Sequence, residues 1–202
     1  MTDVRFNKTL IWLNALVPLA LLGYDAARGQ LGANPVEFFL RTTGVLTLLC
    51  LLTTLAITPL RKLTGLNQLI KYRRTIALFA FFYGCVHLST YFVFDRGLSL
   101  SGTVADVIER PFIALGMAAF LTMVPLAVTS TNAMIKRLGG KRWQRLHRLI
   151  YLTGLLGVIH FWMIVKSDVF YPAVFGFVLA VLLGYRIYSR LMPKYIAKRS
   201  TA

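Results

Sequence analysis

The chain of 202 residues holds three histidines, and two of them lie inside long apolar runs. His87 sits within IALFAFFYGCVHLSTYFVF and His160 within LIYLTGLLGVIHFWMIV, while His147 precedes His160 by thirteen residues at the entrance to the same run. An imidazole in hydrocarbon is costly unless it has a partner, so such a residue reads as a functional site. Imidazole is also an axial ligand of haem iron. Two imidazoles on one iron leave no open coordination position, which suits electron transfer rather than oxygen or substrate binding. A lone histidine in a span can instead hydrogen-bond a neighbouring helix, and an interfacial one such as His147 can simply be solvated.

The elements that must position these residues follow from composition. The chain is 57% hydrophobic and only 15% charged, too apolar for a soluble domain of this size. A membrane crossing takes about 20 apolar residues, and six stretches qualify: roughly 10–27, 43–60, 75–94, 111–130, 147–165 and 172–190. The reading is an all-α membrane protein, a six-transmembrane-helix bundle forming a single domain over residues 1–202. The second span is expected to stop at Thr58-Pro59 and the fourth to open on Pro111. Segments 28–42, 95–110 and 166–171 are read as outer loops, the last a tight turn.

The net charge of +16 is distributed, not clustered. Arg61, Lys62, Lys71, Arg73 and Arg74 fill one connecting segment, and Lys136, Arg137, Lys141, Arg142, Arg145 and Arg148 fill another, neither with an acid. The C-terminal tail adds Arg186, Arg190, Lys194, Lys198 and Arg199, whereas the acids Asp25, Glu37, Asp95, Asp106, Glu109 and Asp168 fall on the alternate side. This is the positive-inside pattern, which places both termini in the cytoplasm and assigns the charge to the lipid bilayer's anionic headgroups rather than to nucleic acid. Cys50 and Cys85 both fall mid-span without metal-site spacing and read as packing residues. The first run has no small-residue cleavage site and is followed by further spans, so it reads as a span and not a signal peptide.

On this topology the third and fifth spans run in the same direction. His87 lies roughly 18 Å and His160 roughly 20 Å from the inner end, at about 1.5 Å per residue. Neighbouring spans would hold the two imidazoles at one level, in the outer half of the membrane, where a haem between them gains two axial ligands. Gly84, Ser89, Gly154 and Gly157 are candidates for the space a flat cofactor needs. They are equally the small residues of close helix packing. His147 is a third candidate ligand, for a second haem nearer the inner face. Its partner on the third span would fall at Arg73 or Arg74, residues suited to haem propionates. Thirteen residues turn His147 and His160 roughly 140° apart on an ideal helix, so a shared cavity requires local distortion, for which Gly154 and Gly157 provide a place. Trp143 and Trp162 read as interfacial anchors.

These residues belong to an ordered set of segments: LGANP at 31–35, TG at 43–44, ITPL at 57–60, RR at 73–74, HLSTY at 87–91, RPF at 110–112, TST at 129–131, LGGKRWQRLHRLIYL at 138–152 and IHFWMIVKS at 159–167. The set resembles the ferric-reductase-like transmembrane superfamily. Within it, the set resembles the MsrQ (YedZ) family, the haem-binding membrane subunits of the periplasmic protein-methionine-sulfoxide reductase system. The resemblance implies a multi-pass protein of the bacterial inner membrane that binds b-type haem, one or two, with the family's haem histidines falling on His87, His147 and His160. It implies electron delivery to a periplasmic molybdopterin-containing reductase that repairs oxidised methionines. The donor would be the quinone pool or a cytosolic flavin reductase, with FMN as an additional cofactor. Two-haem relatives carry two histidines on each of two helices, whereas this chain has one on the third span and two on the fifth. No Rossmann-type or flavodoxin-type segment is present, so any flavin would bind without one; the cytosolic FAD and NADPH domain of the oxidase and ferric-reductase relatives is lacking too, so the electrons would come from another molecule.

The chain is thus expected to be a non-catalytic electron-transfer subunit of an oxidoreductase complex. The alternatives are a stand-alone transmembrane ferric reductase and a non-haem transporter or scaffold. Arg137, Lys141, Arg142 and Arg145 offer a basic face to a cytoplasmic donor. Loops 28–42 and 95–110, with Arg28 and Asp106, offer a surface to a periplasmic partner.

Overall fold

The computed structural model describes the backbone of residues 3–165 and 167–199, and side chains as far as Ser189 and at Leu191. Lys166 of the expected outer turn, and the side chains of Arg190, Lys194, Lys198 and Arg199 in the basic tail, lie outside the described residues. All regular structure among them is helical: α1 (Val4–Ala27), α2 (Pro35–Thr64), a 3-10 turn (Asn67–Lys71), α3 (Arg73–Thr90) running into a π-helical turn (Tyr91–Asp95), α4 (Leu100–Glu109), α5 (Pro111–Val128), α6 (Asn132–Leu138), α7 (Gly140–Leu146), α8 (Leu149–Ile164) and α9 (Phe170–Arg199). Six helical stretches are long and apolar enough to cross a membrane: Val4–Ala27, Pro35–Thr64, Arg73–Asp95, Pro111–Val128, Gly140–Ile164 and Phe170–Ser189. They coincide with the six expected spans.

Four boundaries differ from expectation, each for a local reason. Segment 28–42 is not all loop, because α2 starts at Pro35. Asn34 caps it, accepting the Glu37 backbone N–H at 3.2 Å and donating through Nδ2 to the Glu37 carboxylate at 3.0 Å, and proline suits the first helical turn. The second span does not stop at Pro59 but continues to Thr64, closed by Gly65 at φ 72°. A proline inside a helix orphans the carbonyl four residues earlier, here Leu55, and the Arg186 guanidinium from α9 donates to that oxygen at 2.9 Å. Segment 95–110 carries α4, opened by the Ser99 hydroxyl accepting the Gly102 N–H at 3.1 Å. The fifth span breaks at His147–Arg148, between α7 and α8.

The helices form a ring with additions. α2 packs along α3, α5 along α8, α3 meets α5 and α2 meets α8, which leaves α3 and α8 at opposite corners of a four-helix core. Leu48, Leu52 and Leu55 of α2 join Val158 of α8 and Leu179 and Leu182 of α9 in one buried cluster. A second cluster of Leu51, Ala80 and Met123 ties α2 to α3 and α5. α1 lies outside, with Trp12 edge-on to Phe79 at 4.7 Å and the Tyr83 hydroxyl donating to the Ala15 carbonyl. Leu13, Leu21, Leu121, Phe177 and Val181 stay exposed. An apolar exterior of this kind matches hydrocarbon, against which burial gives little driving force and packing gives most of the specificity.

Candidate functional site

On α3 the buried residues Thr75, Phe79, Ala80, Tyr83, Gly84 and Thr90 recur every three or four positions. That stripe sets the inward face of a 3.6-residue helix, and His87 falls on it. The His87 Nδ1 lies 3.0 Å from the Leu40 carbonyl of α2 and 3.4 Å from the Thr43 hydroxyl. A carbonyl only accepts, so Nδ1 carries the proton and Nε2 keeps its lone pair. The Thr43 hydroxyl donates to the Phe39 carbonyl at 2.8 Å and so presents an acceptor to the ring as well. The imidazole lies against α2 at Gly44, where a Cβ would stand 3.3 Å from its Cε1.

His160 repeats the arrangement from the opposite corner. Its Nδ1 is 2.6 Å from the Phe112 carbonyl in the first turn of α5, which again leaves the Nε2 lone pair free. The ring is pressed on α5 at Gly116, where a Cβ would lie 2.7 Å from Cε1 and 2.8 Å from Nδ1. Metal-binding histidines characteristically spend one ring nitrogen on such a carbonyl, which fixes tautomer and orientation and leaves the other to the metal.

The two rings stand with centroids 6.3 Å apart and planes at 89°. An imidazole nitrogen bonds a metal at about 2 Å, and roughly 1 Å separates a ring centre from its nitrogen, so two ligands across one ion place their centres about 6 Å apart. Donor type, tautomer and separation are compatible with one haem iron, which His87 and His160 would hold between them. Among the described residues no cluster of three or more His, Cys, Asp or Glu side chains forms an alternative metal centre.

His147 is held differently. It caps the break between α7 and α8, and its Nε2 lies 2.9 Å from the Thr129 hydroxyl. That hydroxyl donates to the Pro125 carbonyl at 2.6 Å, so its proton is spent and Nε2–H of His147 is the donor. Trp143 stacks on the imidazole at 3.9 Å and donates through Nε1 to the Thr129 carbonyl at 2.8 Å. Trp143 is thus a packing partner of His147 rather than only an interfacial anchor. Arg73 and Arg74 line the same cavity as His147, of about 390 Å³. No second imidazole joins them, so the donor set there does not fit a bis-histidine haem.

Of the two readings open for Gly84, Gly154 and Gly157, cofactor space or close helix packing, the structure shows packing. Gly154 meets Leu51 and Leu179, Gly157 meets Leu48, and Gly84 meets Phe120 and Met123, all at packing distances. The glycines that admit the histidines are Gly44 and Gly116, on the neighbouring helices. Asp106, expected on a docking surface, is only 4% exposed. It accepts from Tyr91 at 2.6 Å and pairs with Arg96 at 3.0 Å and Arg110 at 3.3 Å. Tyr91 is one turn beyond His87 and Arg110 is two residues before Phe112, so this carboxylate ties together the C-terminal end of α3 and the N-terminal end of α5, the elements holding both imidazoles. Arg28 is bonded to its neighbour Tyr24 at 2.8 Å. Thr43-Gly44, Arg110-Pro111-Phe112 and Thr129 all lie in segments that carry the family resemblance. That was the available signal for residues whose chemistry alone did not mark them.

Comparison with known proteins gives a consistent picture. Residues 43–158 match the family described as ferric reductase like transmembrane component. A protein of Ralstonia nicotianae named protein-methionine-sulfoxide reductase heme-binding subunit MsrQ is 50% identical over 188 residues, covering 92% of this chain and 87% of the relative. Proteins of the same name from Herminiimonas arsenicoxydans and Xanthomonas axonopodis pv. citri are 49% and 45% identical, covering 90% and 99% of this chain and 84% and 94% of each relative. No solved structure matches the chain.

Proposed function

This chain belongs to the MsrQ family of heme-binding subunits of protein-methionine-sulfoxide reductase, and from that premise we propose that it is a b-type haem electron-transfer subunit, itself without substrate chemistry. The observation that carries the proposal is the facing pair His87 and His160, with both Nδ1 atoms spent on backbone carbonyls and the ring centres 6.3 Å apart. Haem held there by His87 and His160 would supply a one-electron couple.

The chain's own contribution is placement. Leu40 and Phe112 hold the two Nδ1 protons and set both rings, and Gly44 and Gly116 let the rings approach the backbone. The Asp106 network joins the outer ends of α3 and α5. The single domain spans the bacterial inner membrane with both termini cytoplasmic, following the distribution of basic residues. In that orientation the histidine pair lies towards the periplasm. Electrons then enter from the quinone pool or a cytosolic flavin reductase, with Arg137, Lys141, Arg142 and Arg145 as the docking face for a soluble donor. They leave to a periplasmic molybdopterin-containing reductase that repairs oxidised methionines. FMN enters through the resemblance, with no residue assigned to it.

Reconstitution tests this directly. Sealed inverted membrane vesicles containing the chain, with the methionine-sulfoxide reductase inside, are given either a quinol-generating substrate or the flavin reductase with NADH outside. Reduction of methionine sulfoxide in the lumen that requires this chain is the expected result, and the effective donor identifies the physiological one. Ferric iron reduced at the same rate without the reductase would instead establish a stand-alone ferric reductase.

A further inference from the structure

The short helix α4 (Leu100–Glu109) stands between two spans, the π-helical turn that ends α3 at Asp95 and the start of α5 at Pro111. It lies at the end of the bundle that holds the histidine pair, because Tyr91, one turn beyond His87, and Arg110, next to Pro111, both bind its Asp106. Its 10 residues are too few to cross a bilayer. At about 100° per residue the helix divides into three sectors. Thr103 and Asp106 form the first and are buried. Leu100, Val104 and Ile108 form the second, an apolar stripe that is exposed along its whole length, Ile108 at 78%. Ser101, Ala105 and Glu109 form the third, exposed as well but with no large apolar side chain. Phe94 and Leu98, in the turn before the helix, are also exposed. Leu98 has φ 64°, a left-handed backbone that leucine adopts only at a cost, so a large apolar side chain is held where glycine would fit more easily.

The position of the stripe says what covers it. α5 has 18 residues, which at the helical rise reach about 27 Å, just short of a hydrocarbon core of about 30 Å. The span has no length to spare, so Pro111 stands at the edge of the hydrocarbon. Ile108 lies three residues earlier and can be no more than about 10 Å from it, while the headgroup layer on each side is about 5–8 Å deep. We propose that α4 lies in the membrane interface, with Leu100, Val104 and Ile108 set into the boundary between lipid headgroups and acyl chains and Ser101, Ala105 and Glu109 turned to water. Interfacial helices bury an apolar side about 5–10 Å into that boundary, and here each exposed sector then meets its own solvent. A soluble protein would have to enter the headgroup layer to cover the same stripe. Through Asp106 the lipid contact holds the adjoining ends of α3 and α5 at one depth. Interfacial placement needs the spans and not the haem, so it holds or fails apart from electron transfer.

The test uses the full chain in nanodiscs of phosphatidylethanolamine and phosphatidylglycerol. Val104→Cys, Ala105→Cys, Ile108→Cys and Glu109→Cys are made singly in a Cys50→Ala, Cys85→Ala background, and each new thiol carries a bimane label. Quenching by iodide, from water, is compared with quenching by a doxyl-labelled phosphatidylcholine, from lipid. The labels of Val104→Cys and Ile108→Cys are expected to be quenched by the doxyl lipid, and roughly fivefold less by iodide than those of Ala105→Cys and Glu109→Cys. Equal iodide quenching in all four variants overturns the proposal. Iodide quenching of Val104→Cys and Ile108→Cys that falls only when the methionine-sulfoxide reductase is added also overturns it, and makes the stripe a docking face for protein. Should the substituted chains not elute as monodisperse species, the unsubstituted chain is irradiated in nanodiscs with a phosphatidylcholine that bears a diazirine high on its acyl chain, and the adducts are mapped by mass spectrometry. Adducts within residues 98–108 as well as on the spans are then the expected result, and adducts on the spans alone overturn the proposal.

Discussion

Gly116 supplies the sharpest perturbation of the histidine pair. In Gly116→Ala the new Cβ would lie 2.7 Å from Cε1 and 2.8 Å from Nδ1 of His160. Ordinary contact between such atoms is about 3.5–4 Å, so the ring must retreat by roughly 1 Å. Metal–ligand distances tolerate only about 0.2 Å. The ring is also pinned by its 2.6 Å bond to Phe112, so it loses either that bond or its place opposite His87. Losing such an orienting bond typically costs about 10–100-fold in metal-site affinity, and haem occupancy is expected to fall by that order. Gly44→Ala is the internal control. Its Cβ would stand 3.3 Å from His87 Cε1 and 3.4 Å from Nδ1, so a retreat of a few tenths of an ångström suffices and most haem is retained. Alanine is the better helix former by about 1 kcal/mol, so helix propensity does not weaken the fold in either variant. The assay is haem per chain by pyridine haemochrome, with the reduced-minus-oxidised spectrum and circular dichroism on the same samples. Gly116→Ala carrying full haem with an unshifted spectrum, or Gly44→Ala losing as much as Gly116→Ala, would refute the reasoning.

Further outcomes follow from the packing around the site. Asp106→Asn removes the carboxylate shared by Tyr91, Arg96 and Arg110 and is expected to cost about 1–3 kcal/mol, read as a lower thermal midpoint in detergent; an unchanged midpoint would show that the outer network holds nothing. Arg186→Leu strands the Leu55 carbonyl that Pro59 cannot bond, and Pro59→Ala restores an N–H there. The double variant should therefore recover part of the stability lost in the single one, and strictly additive effects would exclude this compensation. Thr129→Val leaves the His147 Nε2–H without its acceptor while the bond from Trp143 to the backbone carbonyl at 129 is kept; a loss of about 1–3 kcal/mol is expected by the same melting assay, and a variant as stable as the parent would show that hydrogen bond to be weak.

Much of this architecture is legible in the residues themselves. Apolar length locates all six spans, because a bilayer fixes how long a crossing must be. The level shared by His87 and His160 follows from helical rise alone. What escapes sequence reading is whatever depends on a partner far along the chain. Pro59 reads as a terminus, yet Arg186, 127 positions later in sequence, satisfies the carbonyl it orphans. Gly154 and Gly157 look like room for a cofactor because they neighbour His160, but the space a ring needs lies on the helix it faces, at Gly116. Asp106 reads as a surface acid because nothing local reveals that Arg96, Arg110 and Tyr91 converge on it. His147 sits at the break between α7 and α8 and lines a cavity that His160 does not, in keeping with the angular offset of thirteen residues.

The most direct measurement is the optical and paramagnetic-resonance spectrum of the purified chain beside His87→Ala and His160→Ala, at matched protein concentration. A low-spin b-type haem signal in the parent that disappears in each single variant is the predicted result. A parent-like signal persisting after either imidazole is removed would contradict axial ligation by this pair.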